Sequence, residues 1–178
     1  EACPMNLAPT SSTTAMLVLG DALAMTLLEA RGFVKEDFAK LHPGGSLGRT
    51  LLTKVSDIMR AGEDLCTVSS ETTLRDALEK MTKYRSGAVV IIEEDYHLRG
   101  ILTQGDFVRS IQKNPNILDN NVSEFMTKDP VTIRDDRLAA EAIKLIGGHR
   151  IDDLVVVNEK GQAIGLVDSQ DLSTMKLI

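Results

Sequence analysis

From Val55 onward the chain repeats itself, and no other feature constrains its fold as strongly. Val55-Ser56-Asp57-Ile58-Met59 matches Val122-Ser123-Glu124-Phe125-Met126 at an offset of 67. A two-residue adjustment near Ala61 and Gly62 brings the offset to 65. Thr67-Val68 then matches Thr132-Ile133. Ala77, Leu78 and Met81 match Ala142, Ile143 and Ile146, and Gly100, Asp106 and Phe107 match Gly165, Asp171 and Leu172. A fixed period of this kind means copies of one supersecondary unit.

Both copies read alike. A short extended piece (residues 66–68, then 131–133) leads into an amphipathic helix carrying Leu74, Ala77, Leu78 and Met81, or Leu138, Ala142, Leu145 and Ile146. A β-branched run follows (88–92, then 154–157), and after a turn a second strand (98–102, then 163–167). A helix opens at Thr103 or Asp168. The β-α-β-β-α order, with Gly-x-x-Thr-x-x-Asp at the last strand–helix junction, resembles CBS domains. Two in tandem resemble a Bateman module. The expected fold is therefore α/β (α+β CBS repeats), with repeats at 55–113 and 120–178.

Bulk properties fit this and narrow the function. Hydrophobic residues make up 43% of the 178, aromatics only 3%, so the core is built from Leu, Ile, Val, Ala and Met. The formal charge of −6 argues against nucleic acid, whose phosphates need a basic face. Cys3 and Cys66 show no metal-ligand or disulfide spacing, which points to a reducing cytoplasm. No apolar run is read as membrane-spanning. His97 in a hairpin turn and His149 beside Arg150 read as surface residues, and no metal site is expected.

The first fifty residues behave differently. Pro4 and Pro9 break an extended start, and Thr10, Ser11, Ser12, Thr13 and Thr14 offer helix N-caps. A helix is expected over 13–30, stopped by Gly32. Met16, Leu19, Leu23 and Leu27 share one face and Leu17, Ala24 and Leu28 another. A helix apolar on most sides calls for cover on most sides. The chain therefore reads as part of a longer protein, with the partners of this helix upstream or in another subunit. A short helix over 36–41 then meets the glycine-rich loop His42-Pro43-Gly44-Gly45-Ser46-Leu47-Gly48-Arg49.

Glu1-Ala2-Cys3-Pro4, Leu7-Ala8-Pro9-Thr10, Ser12-Thr13-Thr14-Ala15, Leu19-Gly20-Asp21-Ala22-Leu23-Ala24 and the His42 loop occur in order before two CBS-like repeats. This combination resembles the arabinose-5-phosphate isomerases, in which a flavodoxin-like SIS (sugar isomerase) domain precedes a CBS pair. The resemblance implies that residues 1–50 are the C-terminal segment of an SIS domain. It implies interconversion of D-arabinose 5-phosphate and D-ribulose 5-phosphate for Kdo, lipopolysaccharide or capsule synthesis, with no cofactor required. It makes His42 and Glu1 candidate catalytic residues, a fair match in type for moving a proton between C2 and C1 through an enediol. It also implies a homo-oligomer: a dimer for this segment and a tetramer for the parent. Without the upstream half, this segment is expected to be inactive by itself. The alternative is a stand-alone CBS sensor or dimerisation module without catalysis.

In the repeats, Thr103 sits where a strand ends and a helix begins, which favours an anion. By resemblance Thr103 contacts a phosphate and Asp106 a ribose. Equally, Thr103 is an N-cap and Asp106 an early-turn acid. Asp171 is the second copy's ribose position, but Asp168 replaces the threonine and repels phosphate. Arg85 and Arg150 are equivalent and either can pair with phosphate or lie solvated. The expected regulatory ligand is a nucleotide or nucleotide-sugar.

Overall fold

The computed structural model describes residues 1–41 and 52–174. His42 and its loop lie outside the described residues. The element order is α1 (Thr10–Ala30), α2 (Lys35–Leu41), β1 (Arg60–Ala61), β2 (Thr67–Val68), α3 (Leu74–Tyr84), β3 (Ala88–Ile92), β4 (Leu98–Thr103) and α4 (Gln104–Lys113). Then come β5 (Thr127–Lys128), β6 (Thr132–Arg134), α5 (Ala139–His149), β7 (Asp153–Val157), β8 (Ala163–Asp168) and α6 (Ser169–Thr174).

The strands form two four-stranded sheets, ordered β2-β3-β4-β5 and β1-β8-β7-β6. Each repeat thus lends its first short strand to the other's sheet. β1 lies antiparallel to β8, with Arg60 opposite Leu166, and β5 lies antiparallel to β4, with Thr127 opposite Ile101. The same exchange is visible in the cores. Val55 and Ile58 pack with Ile133, Leu154 and Val156, whereas Val122 packs with Val68, Val89 and Ile91.

Strand periodicity divides the apolar residues between layers. Val89 and Ile91 face the helices of their own half, and Leu154 and Val156 do so in the second half. Ala88, Val90, Ile101, Val155, Ala163 and Leu166 face the opposite way and meet between the sheets. Each fully buried Val, Leu or Ile contributes about 1.5–3 kcal/mol. The β-branched runs thus serve two cores at once, so both strand faces are apolar.

Two glycines allow the exchanged strands to lie close. A Cβ on Gly100 would stand 2.6 Å from the Thr127 carbonyl oxygen and 2.9 Å from the Met126 sulfur. A Cβ on Gly165 would stand 2.5 Å from the Met59 sulfur and 3.2 Å from the Arg60 carbonyl oxygen. The 3-10 turn Gly62–Asp64, between β1 and β2, accommodates the two residues by which the repeat offset shifts.

Helix α1 starts earlier than expected, at Thr10, and is not capped by its own hydroxyls. The Pro9 N-cap makes no side-chain bond. The Glu1 carboxylate accepts from the backbone N–H groups of Ser11 (2.6 Å) and Ser12 (3.1 Å) instead. A carboxylate outranks a hydroxyl here because it also carries the charge that the helix N-terminus favours. None of α1 is buried. Leu17, Leu19, Leu23 and Leu27 are all exposed. By length and composition α1 is also apolar enough to cross a membrane, with a mean hydropathy of 1.4, contrary to the sequence reading. Its alanines and leucines raise that mean, and Asp21 at mid-helix would be costly in hydrocarbon.

Candidate ligand cleft between the repeats

The repeats meet along a cleft of about 900 Å³. Four of the ligand positions expected from sequence converge there: Thr103, Asp106, Arg85 and Arg150. Each is placed by local backbone logic. Thr103 ends β4 and caps α4. Its hydroxyl accepts from the Asp106 N–H (3.2 Å), and its own N–H donates to Asp106 Oδ2 (3.0 Å). The hydroxyl also donates to that same oxygen at 2.8 Å. This is a capping box. The capping role is therefore realised, and it presents the α4 N-terminus to the cleft. Asp106 Oδ1 accepts from Arg109 (2.7 Å), whose side chain is 68% exposed against 15% for Asp106.

Arg85 and Arg150 end α3 and α5 in the left-handed conformation, at φ 49° and 54°. Such a residue closes a helix through bonds from the chain beyond it. Here the N–H groups of Ser86 and Ile151 reach back to the carbonyls of Met81 and Ile146. Both arginines are exposed, and among the described residues neither guanidinium has an ion-pair partner. Two cations thus flank the cleft, one from each repeat.

Asp171 is placed otherwise. It does not line this cleft. Its carboxylate is held bidentately by Arg60, Nε to Oδ2 at 2.6 Å and Nη2 to Oδ1 at 3.0 Å. Arg60 Nη2 also lies 3.5 Å from Asp168, and Nη1 donates to the Arg85 carbonyl at 3.0 Å. The second copy's acid is thereby engaged as an ion pair, so the symmetric ribose site expected from sequence is not present in open form. The guanidinium belongs to β1, which only the strand exchange brings here.

The second wall of the cleft is acidic. Asp152, Asp153 and Asp168 line it. Asp153 and Asp168 stand directly opposite each other across β7 and β8, where the first repeat pairs Ala88 with Thr103. Like charges so placed repel. Burial, and then the charges of Asp168 and Asp152, push the Asp153 carboxyl up to about 7, with Arg60 opposing and Asp171 adding to the rise. Among the described residues its buried Oδ1 has no hydrogen-bond partner. Arg60 and Asp153 were not singled out from sequence. Aligning the copies exposes both, because Arg60 falls opposite Thr127 and Asp153 opposite Ala88.

Glu1 lies apart, at the α1 N-terminus. The Ser12 hydroxyl and backbone N–H, with further donors at Ser11 and Thr10, hold its carboxyl below the usual carboxylate range. Cys66 is buried, and desolvation raises its thiol to about 11, a structural rather than reactive setting. Among the described residues no cluster of three or more His, Cys, Asp or Glu side chains is arranged to hold a metal.

Paired β-α-β-β-α repeats that exchange edge strands around a shared cleft define a class, and the comparisons agree: the chain belongs to the CBS-domain family, whose model matches residues 55–113 and 122–175. Curated relatives extend the likeness beyond the pair. Arabinose 5-phosphate isomerase KdsD of Pseudomonas aeruginosa is 48% identical over 172 residues, covering 97% of this chain and 53% of its own. The KdsD of Escherichia coli strain K12 is 43% identical, covering 97% and 52%. The chain spans about half the length of the curated relatives it matches. Among solved structures, a CBS-domain-containing protein from Agrobacterium tumefaciens matches with a TM-score of 0.63 at 26% identity, over 70% of this chain and 93% of that one. CBSX2, a CBS-pair protein from Arabidopsis thaliana, was solved with AMP and matches with a TM-score of 0.61 at 24% identity, over 70% and 96%.

Proposed function

We propose that this chain is the C-terminal part of a cytoplasmic sugar-phosphate isomerase acting on D-arabinose 5-phosphate and D-ribulose 5-phosphate, in the service of lipopolysaccharide or capsule synthesis. The observation that carries the reading is the extent of the KdsD likeness. It covers 97% of the chain, whereas the CBS match begins only at residue 55. At 172 of 178 residues the likeness must take in α1 and the stretch holding His42. In this reading residues 1–50 are the end of an SIS domain and α1 packs within it. His42 and Glu1 act in proton transfer, and no metal or redox cofactor is required. In the full-length protein His42→Ala is expected to lower turnover at least about a hundredfold, the scale of a positioned acid or base. An assay with arabinose 5-phosphate, ribulose 5-phosphate and several hexose phosphates checks this. Near-native turnover in the variant would remove His42 from catalysis.

The CBS pair is, in the same reading, a regulatory and oligomerising module that binds one phosphorylated nucleoside at the Thr103 half of the cleft. The α4 N-terminus, Arg85 and Arg150 supply positive potential for a phosphate, and Asp106 supplies acceptors for ribose hydroxyls. Fold relatives accommodate such molecules: CBSX2 was solved with AMP. One observation favours the second reading, a binding module without catalysis. The hydrogen bonds that cap α1 lower the Glu1 carboxyl, the wrong direction for a group that must take up a proton near neutral pH. An inactive full-length protein that still binds nucleotide would establish that alternative.

A further inference from the structure

We infer that Arg60 is an internal occupant of the second half-site, and that it restricts the cleft to one nucleotide per chain. The inference rests on the reading of the Thr103 half as a nucleotide site and concerns what happens at its counterpart. An aspartate that reads a ribose does so by accepting two hydroxyl donors on its two oxygens. Asp171 already accepts two donors on its two oxygens, both from Arg60, at 2.6 and 3.0 Å. The guanidinium reproduces the hydrogen-bond pattern that a ligand would offer.

The repeats show that this is a difference between halves and not a property of the unit. The residue facing Leu166 from the exchanged strand is Arg60; the residue facing the equivalent Ile101 is Thr127. Thr127 lines the open cleft and is too short to engage Asp106 as Arg60 engages Asp171. Asp106 also accepts on both oxygens, Oδ2 from the Thr103 N–H and hydroxyl and Oδ1 from Arg109. The Thr103 donors, however, are its own helix cap, and Arg109, 68% exposed on the same helix, is able to swing into solvent and free Oδ1. Arg60 is only 22% exposed and is tied to three elements: Asp171 on α6, Asp168 at the end of β8 and the Arg85 carbonyl at the end of α3. A fixed planar fork on two carboxylates and a carbonyl does not yield to a hydroxyl as a mobile surface arginine does. Asp168, at the place of Thr103, supplies a second barrier, since it repels the phosphate that Thr103 tolerates.

Installing the first repeat's residues at both positions, Arg60→Thr with Asp168→Thr, is therefore expected to open a second site. Calorimetric titration of the full-length protein with AMP reads this as stoichiometry. The native chain is expected to bind one AMP and Asp106→Ala none. The double variant is expected to bind two, and the double variant with Asp106→Ala one. A double variant that melts like the native protein yet binds only one AMP overturns the role of Arg60 and leaves the Thr103 site standing. A native chain that binds none, beside a double variant that binds one, sinks the Thr103 reading and keeps the Arg60 inference. No binding in either overturns both. Should the double variant fail to fold, the native stoichiometry still decides, because two AMP per native chain is incompatible with an occupied half-site.

Discussion

Asp153 shows how a single position records the divergence of two repeats. Its counterpart Ala88 faces Thr103 across the sheet, whereas Asp153 faces a second carboxylate on Asp168. With burial added, its carboxyl rises from the ordinary 3.8 to about 7. In the unfolded chain this proton leaves near pH 4, and in the folded protein near pH 7. Between those values the folded state binds the extra proton, so the contribution of this group is full in acid and is lost as pH rises through about 7. The isosteric Asp153→Asn cannot ionise. It is expected to flatten the pH dependence of stability between pH 4 and 7 and to be more stable than the native chain at pH 8 by about 1–3 kcal/mol. Urea denaturation across that range checks this, and parallel curves for the two proteins would show that Asp153 ionises normally. Asp152, Asp168, Asp171 and Arg60 surround the group, so the variant isolates one carboxyl in a field that stays otherwise intact.

At the level of elements, the clearest sequence readings are those with a strong local cause. The β-branched run at 88–92 coincides with β3 (Ala88–Ile92), and Leu74, Ala77 and Met81 share the buried face of α3. Thr103, Asp106, Arg85 and Arg150 were legible as a set because each belongs to a strand–helix or helix–strand junction with its own backbone requirement. β1 and β5 were not, because two-residue strands have no period and their partners lie in the other half of the chain. The Arg60 contacts follow from that exchange, so they were hidden with it. The glycines beneath those strands give a ranked test. Gly100→Ala sets a methyl against a backbone carbonyl at 2.6 Å, whereas the first obstacle to Gly165→Ala is the flexible end of Met59. The first substitution is expected to cost about 1–3 kcal/mol and the second less. Denaturation midpoints check the order, and equal costs would mean that both strands shift freely.

For the whole molecule, assembly centres on α1. An unburied 21-residue helix bearing Met16, Leu17, Leu19, Leu23 and Leu27 is more apolar surface than a folded chain leaves to water. The 178-residue chain is expected to sediment at micromolar concentration as a dimer or larger species. Replacing Leu19 and Leu23 by glutamine is expected to shift it toward monomer. A native chain that sediments cleanly as a monomer would mean that α1 alone does not drive association. If the CBS pair itself also pairs, the glutamine variant stays partly dimeric, which separates the two surfaces.

The exchange of edge strands has a mechanical consequence. The chain enters the pair through residues 53–56, which bond to residues 135–139 of the second repeat, and runs on into β1, which is hydrogen-bonded to β8 rather than to its own repeat. Any pull or twist arriving from residues upstream of Thr53 therefore meets the second repeat first, at the 135–139 segment, and only then Arg60, beside Asp168 and the Arg85 carbonyl. The wiring is crossed: a disturbance from the N-terminal side reaches the second repeat before the first. The stretch that ties the N-terminal side to the pair is thus the same stretch that places Arg60 beside the wall of the cleft.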